Sequence, residues 1–421
     1  MIARWILIPY ILLISTCVIL ADPTCKPSKE SVNNIICSPG DSDYVLKRGL
    51  VPDNNRTQKI TLRGCRITDI ELDAFEGLQL LKSIDLSKNK LTEIKLGALD
   101  DARRVTHLNL SYNLLTEFPL GVFDKKTNLN VLDLEGNQIN NLELGIFDPL
   151  TKLKHLDLSG NALLGESFSP YLFDQNNQIT YLDLSRNDMR DADDNILQAF
   201  QALESLNLDK CSLSEVPLFA TKTNLGTMTK LLLSVNQISK IDNKDTFINL
   251  ESLEFLNLGW NILKSLHADV FKSLKNLQII TLRNNKLKRI PDTLFTGMRA
   301  LTNIDISNNL ITFIPVNAFR GTKVKNLNLA SNRFTYLTDN FCLELRNSGA
   351  FLQKFYFNQN PWQCKCLLDI LNEVNKFEIQ YNSAKYDGKH PVCVSEEFNC
   401  KRHDNFNEIY VDLYNTLILK S

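Results

Sequence analysis

The residues of this chain that could do chemistry are its cysteines, its histidines and the acids beside them. Cys364 and Cys366 stand one residue apart and precede Cys393 and Cys400. Four thiols so placed can hold a tetrahedral zinc ion or close two disulfides, and the spacing admits three connectivities. Cys25 and Cys37 bracket a short segment that a further bridge would close. Zinc needs reduced thiolates, so the redox compartment decides between the two chemistries. His155 lies two residues from Asp157, an acid–base pair with no nucleophile beside it. The chain has no His-Glu-x-x-His, no Gly-x-Ser-x-Gly and no phosphate-binding loop. No catalytic residue, metal or cofactor is expected, and the chain reads as a non-enzyme.

The N-terminus points to the compartment. Arg4 precedes an apolar run from Trp5 to Leu20, and Ala21 before Asp22 suits signal cleavage. Residues 1–21 are therefore expected to be a secretory signal, which favours disulfides over zinc. No later stretch is apolar for long enough to span a bilayer, so a secreted, extracellular protein is expected. Cys17 leaves with the signal, and nine of the ten cysteines remain. Not all of nine can pair internally. Cys342 is left without an assigned partner, either as a buried thiol or as a link to another chain. The net charge is −1, which gives no support to a nucleic-acid partner.

The elements that must position all of this are repeats. Leu81-Ile84-Leu86-Asn89-Leu91 and Val105-Leu108-Leu110-Asn113-Leu115 follow one eleven-residue template, apolar at positions one, four, six and eleven, with Asn at nine. Position nine recurs as Cys65, Asn89, Asn113, Asn137, Asn161, Asn187, Cys211, Asn236, Asn261, Asn285, Asn309, Asn332 and Asn360, mostly 24 residues apart. A second register runs 14 residues ahead of it, through Phe75, Phe123, Phe147, Phe173, Phe247, Phe271 and Phe295. Positions four and six alternate as a short strand does, so each coil contributes one strand to a parallel stack at roughly 4.8 Å per rung. The turn after each strand buries peptide groups, and Asn carries both donors and an acceptor to satisfy them from coil to coil. Cys65 and Cys211 fill that column as small, weakly hydrogen-bonding residues. The Phe register fills the opposite, wider side of each coil.

This pattern resembles the extracellular leucine-rich repeats of animals, over roughly Arg56 to Cys400. The resemblance implies an α/β leucine-rich-repeat solenoid, or horseshoe. Its concave face is a parallel β-sheet, its convex side is irregular or helical, and disulfides cap its ends. Asn360-Pro361-Trp362-Gln363-Cys364-Lys365-Cys366 resembles the family's C-terminal cap signature. From that likeness alone follow the pairings Cys364–Cys393 and Cys366–Cys400. Cys25 and Cys37 would close a reduced N-terminal cap, where the family often uses four cysteines. The expected organisation is signal at 1–21, N-terminal cap at 22–55, about 13 repeats at 56–360, C-terminal cap at 361–400 and a tail at 401–421, whose packing the sequence leaves open.

Template positions two, three, five, seven and eight are expected to face the concave side. Position five forms an acidic-to-amide column that includes Asp85, Asn109, Asp133, Asp157, Asp183 and Asn207. In later repeats Leu232, Val235, Phe255, Trp260 and Ile279 fall on adjacent rungs, an apolar patch of the composition that contact surfaces use. These five residues are the candidate partner site, for a protein, for a microbial or glycan ligand, or for a second copy of the chain. His107 and His155 are two rungs apart, too far to share a metal. The function expected is extracellular recognition, in innate immunity or receptor signalling; the alternative is cell adhesion or matrix assembly. Asn55-Arg56-Thr57 and Asn109-Leu110-Ser111 are glycosylation sequons. Glycosidase treatment of the secreted chain is expected to lower its mass, and Asn109→Gln to remove part of that loss; an unchanged mass difference in the variant would show that Asn109 carries no glycan.

Overall fold

The computed structural model describes residues 21–51, 56–382, 389–395, 398–403 and 407–419. Residues 1–20 of the proposed signal sequence and Asn55 lie outside them. Thirteen three-residue strands, from Lys59–Thr61 to Lys354–Tyr356, stack parallel and in register. They hold template positions three to five. The middle residue of each points into the core, from Ile60 through Leu156 and Leu231 to Phe355, all fully buried. Three further strands complete a 16-stranded sheet. Thr24–Pro27 pairs antiparallel with Asn34–Ser38 at one end, and Gln380–Tyr381 adds on at the other. The convex side is made of turns and short 3-10 helices such as Gly165–Ser167 and Val316–Phe319.

The Asn column is inside, where the turns need it. Asn89 donates from Nδ2 to Leu86 O at 2.8 Å in its own coil and to Leu62 O at 2.9 Å in the coil before, while its Oδ1 accepts Ile67 N–H at 3.0 Å. Asn137, Asn261 and Asn309 repeat this three-bond pattern. Cys211 reproduces one bond of it, Sγ to Leu184 O at 3.3 Å. The two thiol coils then take a second left-handed residue just after the column, Arg66 at φ 58° and Ser212 at φ 59°. On the far side Phe123, Phe147 and Phe173 stack at 6.5 and 5.9 Å between ring centroids.

A second set of buried polar bonds runs beside the Phe column. Asn176 Nδ2 donates to Phe147 O at 2.9 Å and Leu150 O at 3.1 Å. Two coils earlier the same place holds Lys126, fully buried, with Nζ donating to Leu99 O and to Ala102 O. Nothing in the sequence distinguishes this lysine from an exposed one.

Both ends of the core are covered. Cys25–Cys37 bridges the antiparallel strand pair. Helix α1 (Phe341–Asn347) and helix α2 (Cys364–Lys376) lie at the other end. Two bridges, Cys364–Cys393 and Cys366–Cys400, fasten α2, whose Leu367, Ile370 and Val374 belong to the solenoid core. Glu373 of α2 accepts Cys342 N–H at 2.7 Å at the start of α1, where no local side chain caps the helix. Cys65, Cys211 and Cys342 are free, buried thiols. The tail forms helix α3 (Asn407–Leu419), which buries Tyr410 and Tyr414.

Burial holds Lys126 at about 8, below the 10.5 of the unfolded chain. The native state therefore loses this proton first, and stability rises with pH between those values. Lys126→Asn is expected to lose that part of the rise, up to about 3 kcal/mol. Denaturant unfolding of both proteins from pH 7 to 10.5 measures it, and parallel curves would refute the assignment.

Candidate binding surface

Two positions of every coil shape the concave face. The first is position five. Asp85, Asn109, Asp133, Asp157, Asp183, Asn207, Asn257, Asp305 and Asn328 each accept, through Oδ1, the N–H two residues on. The acidic-to-amide column is thus part of the turn as well as of the surface. At position seven the length of the side chain decides its exposure. The short Ser87, Ser111, Ser159, Ser185, Ser234 and Ser307 are buried among their neighbours, whereas Arg283 reaches solvent on the concave side as expected of that position. In Asn109, Oδ1 also accepts the hydroxyl of its sequon partner Ser111 at 2.7 Å.

Position eight is the second. Its backbone lies in the left-handed region in all thirteen coils, from Gly64 at φ 68° through Asn284 at φ 54° and Asn308 at φ 53° to Gln359 at φ 55°. Gly and Asn adopt this conformation at low cost, whereas a β-branched or bulky residue does not. Val235 at φ 57° and Trp260 at φ 55° sit there on consecutive coils, and both are exposed, at 42% and 51%.

The five patch residues come together on three neighbouring rungs. Lys230, Phe255 and Ile279 stand in register at position three. Leu232 ends the first of those strands, and Val235 N–H donates to Gly259 O beside Trp260. Leu232 occupies position five with no acceptor to offer. Ser234 N–H is met instead by Asp209 Oδ1 of the preceding coil, at 2.5 Å. That exchange lets position five become apolar without leaving a buried N–H unpaired. Two cations frame the patch and were not foreseen. Lys230 Nζ lies 5.8 Å from the Phe255 ring centre, and the Arg283 guanidinium 5.8 Å from that of Trp260. Past Ile279 a hollow of about 200 Å³ continues along the sheet to Asn326 and Tyr356.

The leucine-rich-repeat family profile matches residues 55–115, 103–163, 127–189, 226–287, 260–311 and 275–334, more than half of the chain. The chain belongs to the leucine-rich-repeat family. Many solved structures share the fold. A leucine-rich-repeat protein of Leptospira interrogans is similar at 24% identity and TM-score 0.62, over 78% of this chain and 84% of that one. Drosophila Toll, in its complex with Spatzle, is similar at 21% identity and TM-score 0.59, over 73% of this chain and 43% of that one. The leucine-rich-repeat domain of APL1B is similar at 17% identity and TM-score 0.56, over 77% and 88%. At these identities the likeness is one of fold. No curated protein sequence matches. Among the described residues, no helix of this leucine-rich-repeat protein is long and apolar enough to cross a membrane.

The earlier half of the concave face is polar and closely wired. His155 and Tyr181, in register on adjacent strands, stack at 4.1 Å between ring centres. Tyr112 Oη donates to Glu135 Oε1 at 2.7 Å, and Arg186 Nη2 reaches the same oxygen at 2.6 Å. Carboxylate oxygens of Asp133, Glu135 and Asp157 lie within 4.8 Å of one another, but Glu135 already has two partners. His107 and His155 are separated by Val131.

Burial, with Asp183 and Asp133 on the flanking rungs, pushes Asp157 up to about 6. Its folded value exceeds the unfolded 3.8, so the native state takes up this proton first as pH falls. Wild-type stability should therefore rise on acidification from about pH 6 to pH 4. Asp157→Asn keeps the acceptor for Ser159 N–H and removes the charge. It is expected to be more stable than wild type at pH 7 by about 1–2 kcal/mol after solvent screening, with the gap closing by pH 4. Thermal melts at both pH values test this, and a variant less stable at pH 7 would contradict it.

Proposed function

We propose that this leucine-rich-repeat protein is a secreted, non-enzymatic recognition protein. In this reading it binds a protein partner on the concave face through Leu232, Val235, Phe255, Trp260 and Ile279, in innate immunity or receptor signalling. Residues 22–55 and 361–400 act as its caps, and Asn55 and Asn109 carry glycans. One observation carries the reading. Val235 and Trp260 are exposed apolar side chains on a left-handed backbone. That conformation costs about 1–2 kcal/mol for a residue with a Cβ. Asn, which the same turn accepts at Asn284 and Asn308, would cost less and would face water better. Side chains kept against both local preferences point to a contact made elsewhere. Lys230 and Arg283 at the edge favour a partner with an apolar anchor and acidic surroundings. The fold shared with Drosophila Toll, whose complex with Spatzle is a hub in development and innate immunity, agrees with that direction.

The test uses the secreted chain and a Val235→Asn, Trp260→Ala double variant as baits in extracellular fluid. A partner held by wild type is expected to be lost from the variant by at least about tenfold, on the scale of a hot-spot pair. Val235→Asn alone should melt higher, by up to about 1 kcal/mol of stability. Equal capture by both baits, or a lower melting point for Val235→Asn, would remove the patch from the binding surface. A wild-type dimer dissolved by the double variant would assign the patch to a second copy.

A further inference from the structure

A separate apolar lane runs over the early coils, away from the concave sheet. Leu72, Leu96, Leu120 and Leu144 recur every 24 residues, three positions ahead of the buried Phe register, and are 58%, 60%, 56% and 58% exposed. The lane is continuous from coil to coil. A carbon built onto Gly97 would meet Leu72 Cδ2 at 3.7 Å, one on Gly121 Leu96 Cδ1 at 3.5 Å, and one on Gly145 Leu120 Cδ1 at 3.8 Å. Those glycines lie at φ 90°, 91° and 90°, a backbone suited to Gly, and each leaves bare main chain against which the preceding leucine rests. The fold does not require leucine there. The equivalent places before Phe247, Phe271 and Phe295 hold Lys244, Ala268 and Asp292.

Acids border the lane. Glu93, Glu117 and Glu143 line a hollow of about 560 Å³ beside Leu96, and all three are exposed. Lys95 lines it too, but is paired with Asp69. The spacing is as telling as the charge. The rings that mark successive coils on this side lie 6.5 Å apart at Phe123 and Phe147 and 5.9 Å at Phe147 and Phe173, between centroids, and four residues of α-helix rise about 6.0 Å.

We infer that this lane is a docking site for a cationic amphipathic helix lying along the solenoid axis, with one apolar side chain per turn against each leucine and Lys or Arg against the glutamates. Apolar burial supplies the adhesion, and charge selects the sign and orientation of the ligand. The lane is on a different face from Trp260, so it stands or falls independently of the concave patch.

The probe is a labelled synthetic helix of about 16 residues, long enough to fold on contact, with Leu at every fourth position and Lys beside it. The control peptide has the same composition with its leucines scattered. In fluorescence anisotropy with the full chain, the probe is expected to bind in a salt-sensitive way and the control at least tenfold more weakly. Leu96→Glu with Leu120→Glu should weaken the probe at least tenfold, and Trp260→Ala should leave it unchanged. Glu93→Gln, Glu117→Gln and Glu143→Gln together keep the leucines and should flatten the salt dependence, which preserves the test if the leucine variant misfolds. Equal binding of the control, unchanged binding by both sets of variants, or loss on Trp260→Ala overturns the inference. So does a wild-type dimer that Leu96→Glu separates, since the lane would then be covered by a second copy.

Discussion

Each coil turns back sharply just after its strand, and that turn buries peptide groups that no sheet partner can reach. An unpaired buried amide costs about 1–3 kcal/mol, and thirteen unanswered turns would exceed the net stability of a typical domain. The Asn column removes the deficit by joining coils: one side chain serves its own turn and the turn below. The rest of the molecule depends on that arrangement. It holds the coils in register, so the Phe rings stack and the strands pair without slippage.

The same turn dictates how the concave face presents side chains. It places position eight in the left-handed region in every coil, and it draws a position-five carboxylate or amide onto the position-seven N–H. Nine of the thirteen coils carry Asp or Asn at the second site, while the first holds Gly or Asn in five coils and another side chain, mostly polar, in the others. The coil of Leu232 and Val235 puts apolar residues at both sites, the next coil keeps Asn257 and puts Trp260 at the first, and Asp209 reaches across to repair the turn that Leu232 leaves open. A departure accompanied by its own repair is better explained by a use for the exposed apolar surface than by drift.

The two halves of the face differ in kind. Around Glu135 and Asp183, side chains are bonded to one another, and burial raises the carboxyl groups above their ordinary range at Asp133 and Asp157. Around Trp260, apolar surface lies open with two cations over the rings. Surface whose polar groups already have partners gains less from a ligand than apolar surface still in water.

The sequence by itself determined the repeat, its period, the inward strand residues and the Asn and Phe columns, because periodicity records which side chains must meet from coil to coil. The candidate patch was legible in part: strand alternation puts Phe255 on the same face as its register partner Ile279, whereas Val235 and Trp260 stand in the turn, where the left-handed backbone orients them. Tertiary structure decided what periodicity does not encode, namely the surroundings of a side chain once the coils are stacked. Lys126 reads as a surface lysine and lies buried on two carbonyls. The serines of position seven read as surface and lie buried, while Arg283 at the same position stays in solvent. Leu72, Leu96, Leu120 and Leu144 carry the 24-residue period as plainly as the core leucines do, yet remain in solvent. A period fixes which residues are equivalent, and only the closed coil determines whether that equivalent place is inside or out.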